Sequence, residues 1–326
     1  WYYCHDALMV SRMAARIGKA DVAKKYREVA NKVADAFNRR FLKVDRYSAS
    51  KFSDEELAEK IKSWLNVLPE DQRPAVMKRY ATLYSSSSQT ANLLPLWLDI
   101  TPEKNVKDVL ETLVQDLEVT RAWHINTGVV GLKFMFDVLI KYGYEDLAYR
   151  LITQTSFPSF GYQIEKEGAT TLWERWEFLN NDKCFNSHSH PFAGSVDVYF
   201  YKILAGLGLD EEVSGFKKII LKPIMSGDLP YASASVNTIR GKVVSAWERN
   251  DEELRYKVEV PGNTTAELYI PKNAWDKIEI TEGTKSCWNG ENAVDVEGMT
   301  YLREEEKYVV YQIEAGSYEF KVAPVK

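Results

Sequence analysis

Cysteine and histidine are scarce in this chain of 326 residues, with three of the first and four of the second. Cys4, Cys184 and Cys287 are far apart and odd in number, which excludes a disulfide framework and any paired-cysteine metal site. Of the histidines, His188 and His190 stand two apart and not at the four-residue helical spacing of zinc hydrolases, so no metal is expected. Charge of one sign is also missing: 42 basic against 47 acidic side chains leave a formal net charge of -5, with Lys and Arg scattered among Asp and Glu. No basic stripe could neutralise phosphates, and nucleic acid is not an expected partner. No apolar run approaches the roughly 20 residues that span a bilayer, so no membrane span is expected. P-loop, GxGxxG and GxSxG signatures are absent, and no cofactor is expected. The chain starts at Trp1 and runs straight into a helical pattern, so it reads as a piece of something longer. Its compartment, periplasmic or cytoplasmic, and its oligomeric state stay open.

What is present falls into two regimes. Apolar residues make up 45% and charged residues 27%, proportions that can bury a core and that exclude wholesale disorder. Up to about Gly208 the period is helical. Val22, Tyr26, Val29, Val33, Phe37 and Phe41 recur at spacings of three and four, Gly18 separates this helix from the one before, and Thr101-Pro102-Glu103 opens another with Thr101 as its cap. Val130, Phe134, Val138 and Leu139 lie on a further helix closed by Gly143, and Phe192, Val196, Phe200, Ile203 and Leu207 on a last one, capped in Gly206-Leu207-Gly208. The charged stretch from Lys51 to Arg79 reads as two short helices, and Ser85 to Ser88 as a loop. After Gly215 the period becomes two, in Ala232-Ala234-Val236, Leu254-Tyr256-Val258-Val260, Ala266-Leu268-Ile270 and Tyr318-Phe320-Val322. Turn residues separate these runs at Pro261-Gly262-Asn263, Pro271-Lys272-Asn273 and Asn289-Gly290. The spacing predicts a helical domain over residues 1–211 and a small antiparallel sandwich over 212–326.

Chemistry concentrates between residues 156 and 192, a long stretch between helices that gathers Phe157, Phe160, Tyr162, Glu165, Trp173, Glu174, Trp176, Asn186, His188 and His190. Carboxylates among aromatic rings suit sugars, whose ring faces are apolar and whose hydroxyls need acceptors and donors. Composition alone leaves this cluster balanced between a site and ordinary aromatic packing.

The run Gly161-Tyr162 through Ile164-Glu165, the stretch GATTLWERW over 168–176 and His190-Pro191-Phe192-Ala193-Gly194-Ser195-Val196 resemble the C-terminal half of the bacterial α-L-rhamnosidases of glycoside hydrolase family 78. Tyr2 to Leu8, His124 to Gly131, Tyr142 to Tyr149, Lys217 to Pro223 and Val260 to Ala266 continue the likeness in the same order. The resemblance implies part of an (α/α)6 barrel of the six-hairpin glycosidase type, followed by a C-terminal β-sandwich. It also implies inverting hydrolysis of terminal α-L-rhamnose from a glycoside or polysaccharide. In the family the glutamate of the matching motif is the general base, here Glu174, and a later histidine, here His190, holds the rhamnose. Trp173 is expected to wall the sugar, with His124 and Glu165 further candidates for binding and Trp176 given to packing. Arg175 would help to keep Glu174 ionised if it points inward. The family's general acid lies upstream of the region matched by Trp1. On this reading the chain bears the base without the acid and is close to inactive alone. Another helical-barrel glycosidase or lyase, or a non-catalytic sugar-binding fragment, are the competing readings.

Overall fold

The computed structural model describes residues 1–44, 82–85, 87–177 and 187–325. The two short helices expected between Lys51 and Arg79 lie outside the described residues, as do Cys184 and Asn186. Contacts divide the chain into two compact units, Trp1–Ala193 and Gly194–Lys326.

The first unit is helical. Helices α1 (Tyr2–Arg16) and α2 (Ala20–Phe41) form a hairpin, turned at Gly18, whose φ of +73° suits a residue without a Cβ. Cys4, Ala7 and Ala30 are buried where the two helices meet, and their small size lets the backbones approach. Ser11 Oγ ties the hairpin by donating to Ala23 O at 2.8 Å. Strand β1 (Leu42–Val44) pairs antiparallel with β2 (Thr82–Tyr84). Ser88, at the end of the serine run, then caps α3 (Gln89–Trp97) by accepting from Ala91 N at 3.2 Å. Helix α4 (Glu103–Gln115) begins directly after Pro102. Thr101 does not cap it as expected: the residue is buried and its Oγ1 accepts from the Tyr84 hydroxyl at 3.4 Å. A π-helical turn, Asp116–Thr120, extends α4. Helices α5 (Val129–Lys141), α6 (Glu145–Ile152) and α7 (Phe160–Glu165) follow, with Gly143 at φ +80° between the first two. Helix α3 packs on α4 and α5, and Leu93 and Leu96 of α3, Leu113 of α4 and Met135 and Leu139 of α5 are fully buried.

The helix expected from Phe192 to Leu207 is broken. A 3-10 turn, Ala193–Val196, is followed by a π-helical segment, Tyr199–Leu204, and Leu207 already opens a strand. The reason is tertiary. Lys222 N donates to Gly206 O at 2.8 Å, Ile224 N donates to Ile203 O at 2.9 Å, and the Trp247 indole donates to Leu204 O at 2.7 Å. These partners take carbonyls that a continuing helix would need. Gly206, at φ +74°, ends the segment as a C-terminal cap glycine does.

The second unit is a sandwich. Strands β5 (Tyr231–Thr238), β6 (Gly241–Arg249), β7 (Leu254–Val260), β9 (Ile278–Glu282), β10 (Lys285–Trp288) and β13 (Gly316–Pro324) make a six-stranded sheet in the order β10-β9-β13-β7-β6-β5. Strands β3 (Leu207–Leu209), β4 (Lys218–Leu221), β8 (Thr265–Pro271), β11 (Met299–Glu304) and β12 (Tyr308–Ile313) make a five-stranded sheet in the order β11-β12-β8-β4-β3. One pair departs from the expected antiparallel plan, since β4 runs parallel to β8. Inward residues of both sheets form one core, including Leu221, Leu268, Ile270 and Tyr311 from the smaller and Trp247, Tyr256, Val258 and Phe320 from the larger. The Tyr256 hydroxyl is buried against Ser245 Oγ at 3.1 Å, and desolvation pushes its pKa up.

Candidate active site

The stretch that carries Glu174 is held from two directions. Ser159 caps α7 by accepting from Tyr162 N at 3.0 Å, and Gly161 sits so close to the preceding loop that a Cβ would lie 2.5 Å from Gln154 O. From α7 the Gln163 side chain, 1% exposed, donates through Nε2 to Arg175 O at 2.6 Å. The backbone carbonyl of Gln163 accepts from Ala169 N at 2.9 Å. One buried amide thereby fixes the residue next to Glu174. Gln163→Leu is expected to destabilise the helical unit by about 1–3 kcal/mol, because a carbonyl loses its partner. A denaturant midpoint unchanged from the parent would show that the bond does not form.

Residues 171–174 and 187–190 lie side by side. His190 N donates to Leu172 O at 2.8 Å and Glu174 N to Ser187 O at 2.9 Å. Thr171 Oγ1 also donates to His188 O. In return Ser187 N donates to Glu174 Oε2 at 3.0 Å, and His190 Nδ1 lies 4.0 Å from the same oxygen. The Glu174 side chain keeps 36% of its surface exposed and that of His190 21%. A carboxylate anchored at one oxygen by a backbone N–H, next to an imidazole and still open to solvent, can accept a proton from a water or a hydroxyl.

The other expected residues have partners of their own. Trp173 is 7% exposed and carries the His188 ring at 4.6 Å, tilted by 31°. Trp176 packs edge-on to Phe160 at 5.1 Å. Arg175 is exposed, and the basic group beside Glu174 is His190 instead. Glu165 ends α7 in an exposed position, while Glu167 takes the Tyr162 hydroxyl at 2.8 Å. His124 has both ring nitrogens engaged, Nδ1 with Arg121 O at 2.7 Å and Nε2 with Ser156 Oγ at 2.9 Å.

The segment around His124 has its own buried clamp. Gln89, 1% exposed, accepts from Asn126 N at 2.7 Å and donates to Asp116 Oδ2 at 2.9 Å. Burial pushes the Asp116 carboxyl above the ordinary carboxylate range, against the pull of Gln89 and Arg121. Gln89, Gln163 and Ser187 belong to no motif that marks them in the sequence. Among the described residues no three His, Cys, Asp or Glu side chains gather as a metal-holding group, and no helix is long and apolar enough to cross a membrane.

A helical unit followed in the chain by a β-sandwich is the domain order expected of the six-hairpin glycosidases. Residues 1–204 match the family model of the bacterial alpha-L-rhamnosidase 6 hairpin glycosidase domain, and residues 208–285 that of the bacterial alpha-L-rhamnosidase C-terminal domain. The chain belongs to the bacterial α-L-rhamnosidase family. An α-L-rhamnosidase of Streptomyces avermitilis is 28% identical over 98% of this chain and 26% of its own length. One from Formosa agariphila is 30% identical over 67% of this chain and 23% of its own. Among solved structures, the α-L-rhamnosidase from Dictyoglumus thermophilum is 37% identical with a TM-score of 0.80, covering 99% of this chain and 31% of that one. The Streptomyces avermitilis α-L-rhamnosidase complexed with L-rhamnose is 27% identical with a TM-score of 0.74, covering 100% of this chain and 26% of that one. The chain therefore spans about a quarter of the curated Streptomyces relative's length.

Proposed function

We propose that this chain serves the hydrolysis of terminal α-L-rhamnosides with inversion, Glu174 acting as the general base and His190 binding the sugar. The observation that carries the reading is the Glu174 carboxylate, held by Ser187 N at 3.0 Å and flanked by His190 Nδ1 at 4.0 Å, with a third of its surface still open. With Oε2 anchored, Glu174 takes a proton from a water on one face of the sugar while that water attacks the anomeric carbon. A second carboxyl, roughly 6.5–9.5 Å away in inverting enzymes, protonates the departing oxygen. Trp173, nearly buried under His188, forms the apolar wall behind the carboxylate. His124, locked by Arg121 and Ser156, and Glu165, exposed at the end of α7, are assigned to the outer part of the sugar site. The substrate is a rhamnose-containing glycoside or polysaccharide, in keeping with the relatives named α-L-rhamnosidase and the neighbour solved with L-rhamnose. The anomer released in the first turnovers by a protein that joins this chain to the upstream segment expected to hold the acid, followed by proton NMR on an aryl α-L-rhamnoside, tests this. β-L-Rhamnose is expected first and mutarotates later. Initial release of the α-anomer would overturn inversion, and no release from the rhamnoside together with release from an aryl glycoside of another sugar would point to another helical-barrel glycosidase.

A further inference from the structure

The sandwich carries an open groove of about 420 Å³ on the six-stranded sheet, within the range of roughly 300–1,000 Å³ that small-molecule sites occupy. The register of the sheet builds it. Tyr231 on β5 stands opposite Glu248 on β6, and Glu248 stands opposite Arg255 on β7. The three side chains thus form one row across three strands. On β6 the alternate residues Val243, Ser245 and Trp247 turn inward, so this row lies on the outer face. Tyr231 is 66% exposed, and the Glu248 side chain 68%.

The groups around this row differ in what they have left to offer. Arg249 is spent on Leu229 O at 3.0 Å, Gly227 O at 2.7 Å and Asn273 Oδ1 at 3.3 Å. Glu253 is held by Arg255 Nε at 2.7 Å and Lys321 Nζ at 2.6 Å. Asn250 Oδ1 accepts from the amides of Glu252 and Glu253, each at 2.9 Å. Glu248, by contrast, has among the described residues only a long approach from Arg255 Nε at 4.0 Å. The groove therefore offers a rigid floor, an exposed aromatic ring, one loosely held carboxylate and the remaining N–H groups of Arg255. Its two carboxylates face two guanidinium groups, with the Lys321 ammonium held against Glu253 beside them, so at most one unit of charge is left over and neither a polyanion nor a cation is called for. A purely apolar ligand would strip water from those charges without replacing it. A neutral sugar meets each requirement: ring C–H groups on the tyrosine face, hydroxyl donors to Glu248, hydroxyl acceptors for Arg255.

We infer that the groove lined by Tyr231, Glu248 and Arg255 is a carbohydrate-binding site for neutral oligosaccharides, distinct from the loop that carries Glu174. It holds glycan without cleaving it and does not depend on the role given to Glu174. Affinity electrophoresis and titration calorimetry of the full chain with rutinose, xylohexaose and cellohexaose test it, with polygalacturonate as an acidic comparison. Binding of at least one neutral glycan is expected. It should persist in the double variant Glu174→Gln, His190→Ala and weaken about tenfold or more in Tyr231→Ala and in Glu248→Ala. Both side chains are exposed, so these variants leave the core intact. Absence of binding to every neutral glycan overturns the inference, as does binding untouched by either groove variant. A preference for polygalacturonate that fades with salt overturns the neutral-ligand assignment.

Discussion

Glu174→Gln is expected to lower turnover of an aryl α-L-rhamnoside by at least about 100-fold while leaving KM within a few-fold of the parent. The substitution keeps the size of the side chain, and its amide oxygen can still accept the Ser187 N–H that holds Glu174 Oε2 at 3.0 Å. What it removes is the negative charge and the capacity to take a proton from water. Loss in kcat with little change in KM is the signature of a group that acts mainly in the transition state. If this carboxylate only accepts hydrogen bonds from sugar hydroxyls, the amide would substitute for most of that function and turnover would hardly move. Steady-state kinetics on the active protein, with circular dichroism to verify folding, separates the two. Activity within threefold of the parent would remove Glu174 from the role of base.

The second large effect is structural. Gly206→Ala is expected to destabilise the sandwich unit by at least about 3 kcal/mol, because two penalties coincide. The residue has φ of +74°, where a Cβ costs roughly 1–2 kcal/mol. That Cβ would also lie 2.1 Å from Pro223 N and 2.3 Å from Lys222 C, both backbone atoms that cannot swing aside. Moving them would break the bond from Lys222 N to Gly206 O and pull β3 from β4. Gly18 provides the control. Its φ of +73° is nearly the same, yet nothing stands within 4 Å of a Cβ there. Gly18→Ala should therefore show the conformational penalty alone, about 1–2 kcal/mol. Urea unfolding followed by tryptophan fluorescence compares them, and equal costs at the two positions would contradict the close approach at Gly206.

How legible each element was depended on whether its cause is local. Helix α2 announces itself because one face must be apolar every three or four residues, and Val29, Val33 and Phe37 satisfy that. Strands β7 and β13 alternate because one face is wet, as their burial patterns show. Strand β12 is harder to find: five of its six residues are buried, which erases the alternation. Strand β6 hides because Ser245 points inward, where Ala205 O and the Tyr256 hydroxyl satisfy it. A polar residue at a core position breaks the pattern until its partners are known. The segment from Phe192 to Leu207 shows the opposite failure. Its apolar spacing is helical, yet carbonyls claimed by Trp247, Ile224 and Lys222 divert it into a π-helical segment and then a strand.

Two regimes of periodicity, helical and then alternating, were determined by the sequence itself. So was the motif GATTLWERW with its rhamnosidase likeness, since backbone period and turn chemistry act between near neighbours. Tertiary structure decided what depends on residues far apart in the chain. It set Glu174 Oε2 on the amide of Ser187, thirteen residues on, and His190 beside it. It also pinned Arg175 to the buried Gln163, laid β4 parallel to β8 and aligned Tyr231, Glu248 and Arg255 across three strands. Such pairings come from packing and from the need of each buried polar group for a partner, and neither leaves a period in the sequence.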